Sequence, residues 1–139
     1  RAGLIIGVCT TSNEQAAHAI AYKILSDIQF NFVLAGDIVS KKKPDPEIYN
    51  LALSKAGVKP EECIVIEDSR NGVLAGKAAG MYVVATTNVY TEKENLSEAD
   101  IIVTCLGDAD GEKGMMSKGT LAGYNGILHV DQLIKAFSR

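Results

Sequence analysis

Short apolar runs separated by helix-patterned stretches recur along these 139 residues, and that alternation constrains the fold more than any other feature. Leu4 to Cys9 is a continuous apolar run, as a strand covered on both faces requires. Phe32 to Ala35, Cys63 to Ile66, Tyr82 to Ala85 and Ile101 to Val103 are further runs of the same kind. Behind the first, Thr10-Thr11-Ser12-Asn13 is suited to N-capping, and Ala17, Ile20, Ala21, Ile24 and Leu25 follow at helical spacing. In the next interval Asp45 is a natural N-cap, Pro46 a natural first helical residue and Gly57 a natural stop. A third helix is expected from about Asn71 to Gly80. A fourth is expected from Asp131 to Phe137, with Leu133, Ile134 and Phe137 turned inward. Residues 107–126 are Gly-rich, lack a period and read as loop. The expected fold class is therefore α/β, with strands near 4–9, 31–35, 63–67 and 82–86 in one Rossmann-like parallel sheet and helices on both faces. Residues 1–139 read as a single domain.

Composition removes several functions. Lys and Arg number 14 against 17 Asp and Glu, a net charge of -3, which offers no field attractive to nucleic acid or anionic lipid. No apolar run approaches the ~18 residues that suggest a membrane span. Cys9, Cys63 and Cys105 form no CxxC pair, and with only His18 and His129 besides they show no zinc-ligand spacing. They read as buried reduced thiols, which suits the cytoplasm or a plastid stroma. Cys9 is a poor candidate nucleophile, because no His lies near it in sequence.

In parallel α/β sheets ligands bind outside the carboxyl ends of the strands. Three of those ends carry polar groups: Thr10 to Asn13, the loop leading to Lys43, and Glu67-Asp68. Taken singly, each has an ordinary structural use. Thr10 to Asn13 could cap a helix, Lys41 to Lys43 could be a solvated charge run, and Glu67-Asp68 could cap the helix that follows. Taken together, a hydroxyl with free N–H groups, a compact positive charge and an acidic pair suited to Mg²⁺ spell phosphoryl transfer.

These residues resemble the haloacid dehalogenase superfamily. Leu4 to Thr10 matches its second motif, an apolar strand ending in Thr or Ser. Lys43-Pro44-Asp45-Pro46-Glu47-Ile48-Tyr49 matches its Lys-Pro-x-Pro loop before a helix, and Ile64-Val65-Ile66-Glu67-Asp68-Ser69, with Gly72 following, matches its acidic strand end. The resemblance runs from about residue 4 to 103. The triple lysine, the Thr-Ser-Asn-Glu after the first strand and Leu106-Gly107-Asp108 look like the CbbY branch beside β-phosphoglucomutase. By this resemblance Thr10 and Lys43 are the catalytic residues present. Thr10, Thr11, Ser12, Asn13, Glu14 and Lys43 bind phosphate, and Glu67 and Asp68 hold Mg²⁺. The implied activity is a Mg²⁺-dependent phosphatase acting on a small sugar phosphate or bisphosphate through an aspartyl-phosphate. A mutase of the same family is the alternative, and a non-catalytic remnant that binds phosphate or a partner is a third reading.

One motif of the family has no match. Its first strand ends in Asp-x-Asp, which supplies the nucleophile, and only nine residues precede Thr10. Asp108-Ala109-Asp110-Gly111 copies the letters but lacks a helix pattern behind it, so it reads as loop. The family's first strand lies mid-sheet between the strands ending at Thr10 and Asp68, and its small cap domain is absent as well. The expectation is a partial core domain whose nucleophile and cap come from outside these residues.

Overall fold

The structure is a computed structural model and describes residues 3–91 and 93–138. The strands among these residues are β1 (Gly7–Cys9), β2 (Phe32–Leu34), β3 (Ile64–Glu67), β4 (Tyr82–Thr86), β5 (Ile101–Val103) and β6 (Met116–Lys118). The α-helices among them are α1 (Glu14–Ala19), α2 (Glu47–Ala56), α3 (Arg70–Ala78) and α4 (Val130–Phe137). The α/β class and the parallel pairing are as expected: β1 runs parallel to β2, β3 to β4, and β4 to β5.

The strands do not form one continuous sheet. Among the described residues β1 pairs only with β2, and β3-β4-β5-β6 form a separate sheet. Strand β4 shows why helices cover both faces of that second sheet. Val83 and Ala85 point into a core shared with α2 and α3, through Ile48, Tyr49, Leu53 and Val73. Val84, between them, points the other way, into a core with Val103, Leu121 and Leu133 of α4. All three β4 residues are fully buried, which is why that run is apolar without alternation.

Several expectations need correction. Leu4 to Ile6 lie outside the first strand, which is Gly7–Cys9. Only Ile6 is tied to the β2 side, its N–H donating to Asn31 Oδ1 and its carbonyl accepting from Asn31 N–H. The first helix keeps α geometry for six residues and becomes a π turn over Ile20–Ile24. Of its apolar positions Ala17 and Ala21 are buried, whereas Ile20, Ile24 and Leu25 face solvent, because among the described residues no element packs on that side. Within 107–126, β6 adds an antiparallel edge to β5, with a register irregularity at Ile102/Val103. Its three residues, Met-Ser-Lys, carry too little apolar pattern to signal a strand. In α4, Leu133 is buried and Phe137 stacks on Tyr82 at 4.3 Å between ring centroids, while Ile134 stays on the solvent side.

Helix ends follow local chemistry. Asn13 Oδ1 accepts from Gln15 N–H at 2.9 Å and from Ala16 N–H at 3.4 Å, which caps α1. Helix α2 starts one residue later than expected, with Pro46 in the cap position and Asp45 Oδ1 accepting from Glu47 N–H at 3.0 Å. Gly57 ends it with φ of 68°, a conformation that costs glycine little. Ser69 caps α3, its hydroxyl accepting from Gly72 N–H at 3.2 Å. No helix is long and apolar enough to cross a membrane among the described residues.

Candidate phosphoryl-transfer site

Because Ser69 caps α3, Glu67 and Asp68 are released from that structural duty. They sit at the carboxyl end of β3, and the side chains turn to different surroundings. Glu67 closes the strand with 9% of its surface exposed, whereas Asp68 is exposed beyond the strand end. The next strand end reaches Asp68: Asn88, beyond β4, donates from Nδ2 to Asp68 Oδ2 at 3.3 Å.

The lysine loop is built to aim one of its three lysines inward. The Glu47 carboxylate accepts from Lys41 N–H at 2.8 Å and from Ser40 N–H at 3.1 Å, so the first turn of α2 clamps the loop that precedes it. Those two N–H groups, Lys41 first, hold the Glu47 carboxyl below the ordinary glutamate range. Lys42 is spent on the Gly36 carbonyl and on Asp37, at 2.9 Å from the latter's Oδ1. Lys41 is exposed. Lys43 is only 11% exposed and donates to Glu67 Oε1 and, at 3.1 Å, to the Cys9 carbonyl. The Lys43–Pro44 bond is cis.

The Glu47 clamp gives a signed pH prediction. A carboxyl whose folded-state pKa is depressed contributes stability that is full above its unfolded pKa and is lost as pH falls through the folded value. Thermal stability of Glu47→Gln and of the parent should therefore differ at neutral pH, and the gap should close as pH drops below the ordinary glutamate range. A gap that stays constant down to strongly acidic pH would rule out the clamp.

Lys43 thus ties the end of β1 to the end of β3, two strands that do not pair with each other. Thr10 follows directly, its N–H donating to the Leu34 carbonyl at 2.9 Å and its hydroxyl accepting from Ser12 N–H at 3.1 Å. Thr11, Ser12, Asn13 and Glu14 are exposed on the same rim, with Asn13 Oδ1 spent on its cap and Glu14 Oε1 3.7 Å from His18 Nε2. Lys43 is brought into contact both with Glu67 and with Cys9, the residue beside Thr10. Asp68 and the residues 11–14 make no hydrogen bond to them among the described residues.

Two participants have no role assigned from sequence, although Tyr49 falls in the stretch that begins at Lys43. Tyr49, 4% exposed on α2, donates its hydroxyl to Glu67 Oε1, and its ring lies 4.9 Å from Lys43 Nζ. Burial first, and the Glu67 charge second, push its phenol far above the ordinary tyrosine value, so it remains a donor. Nothing in the helical pattern separates this tyrosine from a core residue. Asn88 did have a signal, since it follows a strand end as Thr10 and Glu67-Asp68 do. Cys9 is no nucleophile here: burial, opposed by Lys43, pushes its thiol up to about 11. Asp108 and Asp110 lie in the loop between β5 and β6. Asp108 Oδ1 accepts from Asp110 N–H at 3.1 Å, and the next element along the chain is strand β6 rather than a helix.

The donor set fits a divalent cation of the Mg²⁺ kind in part. Mg²⁺ keeps several waters and takes one or two carboxylates plus substrate oxygens. Asp68 presents an exposed carboxylate. Glu67 uses Oε1 for Lys43 and Tyr49, and a β-carbon on Gly72 would stand 2.0 Å from its Oε2. Only glycine leaves that oxygen room at the start of α3. No cluster of three or more Asp, Glu, His or Cys forms among the described residues, so these two would form part of a metal shell.

A family model for haloacid dehalogenase-like hydrolases matches residues 1–80. The chain belongs to the haloacid dehalogenase-like hydrolases. This haloacid dehalogenase-like chain is 45% identical over 113 residues to a CBBY-like protein of Arabidopsis thaliana, covering 80% of the chain and 35% of that protein. Among solved structures it is similar to CbbY from Rhodobacter sphaeroides in complex with phosphate, with a TM-score of 0.69 and 37% identity, covering 73% of this chain and 47% of that one. A mutant of the same CbbY, with a TM-score of 0.68, was solved in complex with xylulose-(1,5)bisphosphate, again at 37% identity and with the same shares covered. It is also similar to β-phosphoglucomutase from Clostridium difficile, with a TM-score of 0.58 and 30% identity, covering 72% of this chain and 42% of that one. The chain therefore spans between about a third and a half of the length of these relatives.

Proposed function

We propose that the full-length protein hydrolyses the phosphate ester of a small sugar phosphate or sugar bisphosphate, with Mg²⁺, through an aspartyl-phosphate whose aspartate lies outside these 139 residues. The observation that carries this reading is the Lys43 ammonium held between the Cys9 carbonyl, next to Thr10, and the Glu67 carboxylate. A phosphoryl group in transfer spreads negative charge over its oxygens, and fixed positive partners must meet it. Lys43 supplies one such partner. Thr10 orients a phosphate oxygen, and Thr11, Ser12, Asn13 and Glu14 line the same rim. Glu67 and Asp68 hold the Mg²⁺, which when bound draws charge from the phosphoryl oxygens.

The nucleophile is assigned to another segment on chemical grounds. Among the described residues Thr10 has no adjacent base, Lys43 is committed to an ion pair, and the half-buried Cys9 thiol stays protonated at neutral pH. The strand pairing is compatible with such a segment. Among the described residues β1 and β3 are each paired on one side, and Leu4, Ile5, Ile6 and Ile66 are between 43% and 51% exposed. A strand between them would cover this apolar surface and end beside Lys43. The sugar bisphosphate class is supported by the ligand of the solved CbbY complex. A mutase remains the second reading, favoured by the likeness to β-phosphoglucomutase, since the same groups serve transfer to a sugar hydroxyl. Three free cysteines and a plant relative fit the cytosol or a plastid stroma as the compartment.

Phosphate release from a panel of sugar phosphates and bisphosphates, with Mg²⁺ and with a chelator, tests the assignment. The full-length protein should release phosphate only with the metal, and these 139 residues alone should release none. Release by the 139 residues at the full-length rate, or none by the full-length protein on any member of the panel, would overturn it. Isomerisation without release selects the mutase.

A further inference from the structure

We propose that Tyr49 is a positioning residue that holds the Lys43 ammonium and the Glu67 carboxylate in register from beneath the site; this rests on the function proposed above. One side chain touches both groups by two different interactions. Its hydroxyl donates to Glu67 Oε1, the same oxygen that accepts from Lys43 Nζ. Its ring lies under that ammonium at 4.9 Å, within the range over which a ring quadrupole attracts a cation. Both contacts are made away from bulk water, with Tyr49 at 4%, Glu67 at 9% and the Lys43 side chain at 11% exposure.

The geometry has a directional consequence. With two donors on Oε1, the Glu67 carboxylate cannot turn, and Oε2 is left toward Gly72 and the mouth of α3. Without the phenol hydroxyl, Oε1 keeps Lys43 alone, and the carboxylate is free to rotate about its terminal bond. Lys43 would then lose the fixed position from which it faces the residue beside Thr10. Tyr49 itself is too deeply buried to reach a substrate, so its effect must pass through these two neighbours. Groups that orient the residues bound to a metal or substrate commonly change metal affinity or activity by about 10–100-fold when removed.

Tyr49→Phe separates the two contacts, because it keeps the ring under Lys43 and removes only the hydroxyl. Tyr49→Leu removes both. In the full-length protein Tyr49→Phe should lower kcat about 10–100-fold with KM for the sugar phosphate changed less than about twofold. Tyr49→Leu should lower kcat further. Mn²⁺ affinity, read by electron paramagnetic resonance without substrate, should fall in Tyr49→Phe by about tenfold. A crystal structure of that variant should show the Glu67 carboxylate turned. Wild-type kcat with an unturned Glu67 in Tyr49→Phe would overturn the proposal, as would a rise in KM at constant kcat, which would place Tyr49 on the substrate. If the unmodified protein has no phosphatase activity, the function proposed above fails. The orientation of Glu67 and the Mn²⁺ affinity still decide the role of Tyr49.

Discussion

Lys43→Ala in the full-length protein is expected to lower phosphate release on the order of 10²–10³-fold, the loss typical of removing one fixed group that meets developing charge. Stability should fall too. The alanine leaves Glu67 buried without its cation, and breaking a buried ion pair from one side costs about 3–5 kcal/mol. The low end applies, because the Tyr49 hydroxyl still donates to the same carboxylate oxygen. A paired change distinguishes the two losses. Lys43→Met combined with Glu67→Gln removes both charges, so chemical denaturation should show most of the stability restored while turnover stays lost. Lys41→Ala is the control, since Lys41 is exposed and only its backbone N–H is engaged; it should leave both quantities nearly unchanged. Full activity in Lys43→Ala would remove the lysine from the mechanism.

Gly72→Ala should be nearly as damaging, although alanine is the better helix former. Its β-carbon would stand 2.0 Å from Glu67 Oε2 and 2.1 Å from the carboxyl carbon, distances at which atoms cannot coexist. A free glutamate could swing aside at little cost. This one is held by Lys43 and Tyr49 and is 9% exposed, so moving it breaks charge-assisted hydrogen bonds. Overpacking of this kind costs about 1–3 kcal/mol. The expected result is a lowered denaturation midpoint together with a loss of turnover comparable to that of Glu67→Gln. Gly57→Ala makes a useful comparison, because it strains a left-handed turn with nothing within 4 Å of the added carbon. It should cost stability without touching turnover. Equal turnover losses in the two glycine variants would show that Gly72 acts through folding alone.

The places where the strands end were legible from residues close together in the chain. Apolar runs such as Tyr82 to Ala85 and the stop at Gly57 depend on burial period and on backbone conformation, both set within a few residues. The strand-end rule then pointed to Thr10, Lys43 and Glu67-Asp68 before any contact was known. Tertiary structure decided what those groups touch. Lys43 and Glu67 are 24 residues apart, and their pairing depends on how α2 packs against β1 and β2 and meets the end of β3, which no local pattern encodes. The release of Glu67 from capping required seeing Ser69 take that duty, and Tyr49 became more than a core aromatic only once its hydroxyl had a partner. The exposed Ile20 and Ile24 mark the same boundary from the other side. A helical period shows that a face is apolar, whereas only neighbouring elements determine whether anything covers it.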